Sequence, residues 1–165
     1  MRLAVFSDSH GAVTTLHWAM EQAARMGKID AFIFLGDGAS DFEQCRSLMD
    51  RLNPRAFLFR VKGNNDYFPP DMPEEIVYSF GGVRTFMTHG HRYQAKMTDD
   101  CLLQAARQRE CRLCLYGHTH SARLEEKEGI LLFNPGSVGA ACRGETLGLV
   151  DIDNDGILKP QIIQL

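Results

Sequence analysis

The chain has 165 residues, 44% hydrophobic and 24% charged, as expected of a soluble globular protein with one domain, residues 1–165, and a sizeable core. Its formal net charge is −3, so there is no general basic footprint for nucleic acid or for an anionic membrane. No apolar run approaches the ~18 residues that span a bilayer, and the N-terminus enters an apolar run with no charged leader, so a cytoplasmic protein with no membrane partner is expected.

Leu3-Ala4-Val5-Phe6 is a short apolar run closed by turn residues, the pattern of a buried strand. It ends in Ser7-Asp8-Ser9-His10-Gly11. Asp8 and His10 point the same way in extended chain, so a carboxylate and an imidazole can reach one point, as a metal ion requires. The spacing predicts a helix over 14–26, with Leu16, Met20, Ala23 and Ala24 on its inner face and Gly27 as its stop. Ala31 to Leu35 reads as a second buried strand, ending in Gly36-Asp37-Gly38. A helix is expected over 41–52, facing inward with Phe42, Cys45, Leu48, Met49 and Leu52 and closed by Asn53-Pro54. Ala56 to Val61 is a third strand, running into Gly63-Asn64-Asn65-Asp66. Alternating strands and helices at this spacing form βαβ units. Right-handed crossovers then bring the three strand ends to one side, where ligands bind in α/β sheets.

The stretch 67–75, with three prolines, is a loop that could shape a substrate entrance. Ile76–Phe80 and Val83–Met87 flank Gly81-Gly82 as a hairpin, and the second arm ends in Thr88-His89-Gly90-His91. A helix over 99–108 precedes the short strand Leu113–Tyr116, which ends in Gly117-His118-Thr119-His120. The apolar run 130–133 leads into Asn134-Pro135-Gly136-Ser137. A last hairpin, 147–152 with 157–163, turns at Asn154-Asp155-Gly156. The five cysteines are an odd number, which argues for reduced thiols. Cys111 and Cys114 read as small apolar residues entering a strand rather than as a redox or zinc pair.

Five times an apolar strand ends in glycine-associated Asp, Asn or His, and five of the six histidines lie in these loops. Carboxylate, amide oxygen and imidazole without thiolate suit Mn²⁺, Fe, Ni²⁺ or Zn²⁺ at higher coordination. The donors are about enough for two ions. Two ions need a bridging group, and Asp37, between two glycines, is the natural one.

Asp8-x-His10, Gly36-Asp37, Gly63-Asn64-x-Asp66, Thr88-His89-Gly90-His91 and Gly117-His118-Thr119-His120 resemble, in order, the motifs of the calcineurin-like metallophosphoesterases, and especially their small bacterial and archaeal phosphodiesterases. The resemblance implies an α/β fold, a four-layer α/β/β/α sandwich, holding two divalent transition metal ions, with Mn²⁺ preferred and Ni²⁺, Fe or Zn²⁺ as alternatives. Asp8, His10 and His120 would hold one ion, and Asn64, His89 and His118 the other, with Asp37 between them. A hydroxide between the ions would attack phosphorus in line. Asp66 would act from behind, orienting His10 or supporting Asn64, or would cap a turn.

Many phosphatases of this superfamily carry a leaving-group histidine where this chain has Asn65. Asparagine cannot act as a general acid, so activated diesters should be preferred over monoesters, and Asn65→His should raise monoester activity. His91 could donate a proton, or support a ligand by a hydrogen bond. Arg92 and Arg143 could hold substrate phosphate, or be surface arginines. The expected partner is a small phosphoester, with self-association left open. The alternatives are a metal-binding scaffold of the same fold and a nuclease, the latter disfavoured by the lack of basic clusters near the motifs.

Overall fold

The computed structural model describes residues 1–67, 70–139 and 144–165. In chain order the elements are β1 (Arg2–Phe6), α1 (Val13–Arg25), β2 (Ala31–Phe34), α2 (Ala39–Gln44), α3 (Arg46–Leu52), β3 (Phe57–Arg60), β4 (Glu75–Phe80), β5 (Val83–Thr88), α4 (Asp100–Gln108), β6 (Leu113–Tyr116), β7 (Arg123–Lys127), β8 (Ile130–Asn134), β9 (Thr146–Ile152) and β10 (Leu158–Gln164), with a 3₁₀ turn at His91–Tyr93. They form two five-stranded mixed sheets, ordered β10-β9-β1-β2-β3 and β4-β5-β6-β8-β7. In the first, β1, β2 and β3 run parallel; in the second, β5, β6 and β8 do.

The period-2 alternation of each strand sorts its side chains into three separate cores. Ala4, Phe6, Phe32, Phe34, Leu147 and Leu149 face α1, α2 and α3, where they meet Leu16, Met20, Phe42 and Leu48. The alternate residues Leu3, Val5, Ile33, Val150 and Ile152 meet Val83, Met87, Leu113, Leu115 and Phe133 between the sheets. Phe86, Cys114, Tyr116 and Leu132, on the far face of the second sheet, pack against Leu102, Leu103 and Ala106 of α4. Three cores between layers make an α/β/β/α sandwich. The inner strands of both sheets are covered on both faces, which is why they read as continuous apolar runs.

The helix expected over 41–52 is two helices, α2 and α3, that meet at Cys45, which closes one and opens the other. The inward face is as expected: Phe42, Cys45, Leu48 and Met49 are all buried. The charged edge strand β7 was not foreseen, because Arg123-Leu124-Glu125-Glu126-Lys127 has little apolar signal. Its hairpin turn, Glu128-Gly129 with positive φ at both residues, was the available clue. Cys111 and Cys114 are buried free thiols at the start of β6. Among the described residues, no helix is long and apolar enough to cross a membrane.

Phe133 is fully buried between the sheets, and its ring lies where a Cβ on Gly148 would fall. Phe133→Ala should cost about 3–5 kcal/mol, read as a shift in the urea midpoint with unchanged slope. A loss below about 1 kcal/mol would show that this ring does not join the sheets.

Candidate metal centre

The strand ends expected to converge do so, because each sheet's parallel strands point their C-termini to the same edge of the sandwich. The ladder between β1 and β2 continues past the strands: Asp8 N–H donates to the Gly36 carbonyl at 3.0 Å and His10 N–H to that of Asp37 at 3.1 Å. In the second sheet, Gly117 N–H donates to the His89 carbonyl at 3.0 Å. Two bonds then stitch sheet to sheet. His118 N–H donates to Asp8 Oδ2 at 3.0 Å, and His89 Nδ1 lies 2.6 Å from the Leu35 carbonyl. A carbonyl only accepts, so Nδ1 of His89 carries the proton and Nε2 presents its lone pair.

Two trios result, each with its ligand atoms within 4.8 Å of one another: Asp8, His10 and His120; and Asp37, His89 and His118. His10 and His120 bring their Nε2 atoms to 3.2 Å, and His118 Nδ1 lies 3.2 Å from His89 Nε2. Ligands ~2.0–2.1 Å from a shared ion at angles of 90–109° lie ~2.9–3.4 Å apart, so these spacings fit one ion per trio. Asp8 Oδ1 is fully buried without an aligned donor, 3.1 Å from His120 Nε2 and 3.8 Å from His10 Nε2. An orphaned buried carboxylate oxygen among imidazoles is the environment a cation satisfies. Asn64 Oδ1 lies 3.2 Å from His89 Nε2, which adds an oxygen donor to the second trio. Asp37 Oδ2 faces both trios, 3.5 Å from His89 Nε2 and 3.9 Å from His10 Nε2.

The electrostatics follow from this crowding. Burial would raise the Asp37 pKa, but the neighbouring His89 and the Asn65 hydrogen bonds hold it far below the usual carboxylate range. Burial and the neighbouring His89 push His118 down to about 4, so it is neutral at physiological pH. His120 is raised by the neighbouring Asp8 carboxylate. Neutral imidazoles and ionised carboxylates are the forms a metal binds.

A family model described as the calcineurin-like phosphoesterase superfamily domain matches residues 1–155. The chain belongs to that superfamily. It is a hydrolase of the phosphoesterase class, in a family that depends on metal. Over 94% of its length it is 29% identical to the probable metallophosphoesterase YsnB of Bacillus subtilis, covering 86% of that protein. It is also 29% identical to the phosphodiesterase YfcE of Escherichia coli K12, over 94% of this chain and 89% of that one. The structure of a Streptococcus pneumoniae protein described as a predicted phosphoesterase superposes with a TM-score of 0.77 at 27% identity, over 99% of this chain and 88% of that one.

The structure decides between the roles open to other residues of the phosphoesterase motifs. Asp66 reaches neither His10 nor Asn64. It is the cap of the loop: Oδ2 accepts the amides of Asp37 at 2.8 Å and Gly63 at 2.9 Å, and Oδ1 those of Gly38 and Ala39, both at 2.9 Å. Asn65 is turned toward Asp37, to which it donates both N–H groups. Asn65→His would remove the side-chain amide from Asp37 Oδ2. The His91 ring stands 5.4 Å from that of His89 and 6.1 Å from that of His118, in neither trio, and its buried Nδ1 has no hydrogen bond. Arg92 pairs with Glu74, and Arg143 lies outside the described residues.

Several supports were missed in the sequence. Asp41 Oδ2 accepts Ser9 Oγ–H at 2.6 Å and Gly11 N–H at 2.8 Å, fixing the Asp8-x-His10 loop from α2. Ser137 Oγ–H donates to the Asp8 carbonyl at 2.7 Å, and Asn134 Nδ2–H to that of Gly117 at 2.8 Å. Asn134-Pro135-Gly136-Ser137 is thus a brace for two ligand loops. Lys96 is an exposed cation near enough to lower both His118 and His120. The sequence singled out Asn134-Pro135-Gly136-Ser137 without its role, and nothing local marked Asp41 or Lys96, since each acts across the fold.

Asp66→Ala would strand four amides that now share one carboxylate. It should lower stability by about 2–4 kcal/mol and weaken metal binding roughly 10–100-fold, measured by denaturation and by calorimetric titration with Mn²⁺. Intact metal affinity in a folded variant would separate this cap from the site.

Proposed function

We propose that the protein is a dinuclear metal-dependent phosphodiesterase acting on small phosphoesters. The observation that carries the reading is the pair of ligand trios facing one another across Asp37 Oδ2. Asp8, His10 and His120 would hold one ion; His89, His118 and Asn64 the other; Asp37 would touch both. When bound, the ions acidify a water and neutralise charge developing on the phosphoryl oxygens. Oxygen and nitrogen donors without sulfur suit Mn²⁺, Ni²⁺, Fe or Zn²⁺, and Mn²⁺ is the ion the family resemblance leads us to expect.

The chain's own residues supply positioning. The Leu35 carbonyl keeps the His89 proton on Nδ1 and leaves Nε2 available. Asp66 holds the Asp37 backbone, and Asp41 the loop carrying Asp8 and His10. His91 stands outside both trios, and burial and the neighbouring His89 lower its pKa, so this reading gives it no proton-donor role. Asn65 cannot supply a proton either. A site with no strong acid favours leaving groups that depart unprotonated, which supports activated diesters over alkyl monoesters. The diesterase name carried by YfcE agrees with this.

Chelation should abolish hydrolysis of bis(p-nitrophenyl) phosphate and Mn²⁺ should restore it, with weaker turnover of p-nitrophenyl phosphate. His118→Ala should lower the restored rate by at least roughly 100-fold, since it removes a ligand rather than a support. Metal-independent hydrolysis, or near-normal turnover in the loaded variant, would refute the reading.

Metal affinity should also depend on pH. Burial lowers the His89 pKa, but the Asp37 and Asp8 carboxylates outweigh it, so the net shift is upward. As pH falls through that raised value, Nε2 takes a proton and the ion is displaced. The Kd for Mn²⁺ should rise roughly tenfold per pH unit for each proton displaced, measured calorimetrically. A pH-independent Kd across the imidazole range would exclude these histidines as ligands.

A further inference from the structure

Asn65 occupies both oxygens of Asp37 at once. Its backbone N–H donates to Oδ1 at 2.8 Å, and its side-chain Nδ2–H to Oδ2 at 2.7 Å. The two oxygens have different surroundings. Oδ1 is closed in by Gly63, where an added Cβ would fall 2.1 Å away. Oδ2 is the oxygen that faces His89 and His10, one from each trio. A carboxylate oxygen has two lone-pair directions, and on Oδ2 the Asn65 amide takes one of them. Contact with two ions through Oδ2 needs both.

We propose that the Asn65 side chain and the second metal ion compete for Asp37 Oδ2, and that loading of both ions frees the Asn65 amide to donate a hydrogen bond to a substrate oxygen. The inference rests on the dinuclear reading above. The backbone bond to Oδ1 needs no side-chain atom, so it anchors Asn65 while the amide turns. Asn65 is exposed, so no packing opposes that turn. With both ions bound, the freed group would stand beside them, within reach of a phosphoryl or leaving-group oxygen. It is a neutral donor and stabilises negative charge without transferring a proton. One residue therefore restrains the bridging carboxylate while the centre is incomplete, and meets the substrate once it is complete.

The test uses the full-length protein and diamagnetic Zn²⁺. In wild type, the Asn65 side-chain amide resonances should stay in place with the first equivalent and shift with the second. In calorimetric titration, Asn65→Ala should bind the second equivalent roughly tenfold more tightly, because the competing bond to a charged group is gone. The same variant should lose roughly tenfold in kcat/KM for bis(p-nitrophenyl) phosphate, because the donor is gone. Tighter metal binding with poorer turnover is a pairing that a merely structural role would not produce. Amide resonances unmoved through two equivalents, or unchanged or weaker second-ion binding in Asn65→Ala, would overturn this inference alone. Fewer than two ions bound by wild type would overturn the dinuclear reading and the inference with it.

Discussion

The buried carboxylate of Asp8 is the contact on which the site depends. It is fully excluded from solvent at the end of a strand of the first sheet, yet Oδ2 accepts the His118 amide of the second sheet at 3.0 Å and Ser7 Oγ–H at 2.5 Å. A charge so placed is costly without donors around it. Here half of the compensation comes from the opposite sheet, so the charge is tolerated only when the two sheets meet in one register. The Asp8 carbonyl extends the same constraint, accepting Ser137 Oγ–H and the Gly139 amide. Oδ1, left without an aligned donor, is the part of the carboxylate reserved for the site.

The backbone around this contact is strained in a consistent way. Asp8, His10, Asp37, His118 and His120 all have positive φ, between 47° and 67°, a region that β-carbons disfavour. Such a conformation turns each side chain sharply off its strand axis, back over the ends of the sheets. Each costs of order 1–3 kcal/mol and persists only where the surroundings over-determine it. Asp41, Asp66 and Ser137 provide that determination. Gly63 and Gly117 permit the close approach: a Cβ would fall 2.1 Å from Asp37 Oδ1 at one and 2.0 Å from Ser7 Oγ at the other.

The two layers of interaction divide the labour. The three apolar cores place strand ends to within a residue or two, but they are indifferent to which polar side chain sits there. Hydrogen bonds from Asp41, Asp66 and Asn134 then set the final geometry. Few of these supporting residues neighbour in sequence the group they hold. The centre is therefore as rigid as the packing between layers, and a core change that shifts one sheet against the other acts on both ligand trios together.

Much of this was present in the chain itself. Continuous apolar runs such as Leu3–Phe6 and Leu113–Tyr116 mark strands because a strand covered on both faces has no polar side to show. Glycine beside Asp, Asn and His at their ends marks the ligand loops, because ligand geometry needs tight turns and close approach. Other features had no local signature. The break at Cys45 and the charged strand β7 carry weak periodic signals, and nothing local says that β9 pairs with β1 in the first sheet. For Asp66 the sequence offered a turn cap only as one of two roles, and for Asn65 it offered no contact with Asp37, for the same reason. A carboxylate or an amide bonds whatever donor or acceptor the folded chain brings within about 3 Å, and the amides of Gly38 and Ala39 and the carboxylate of Asp37 reach that distance only once β2 and β3 lie side by side.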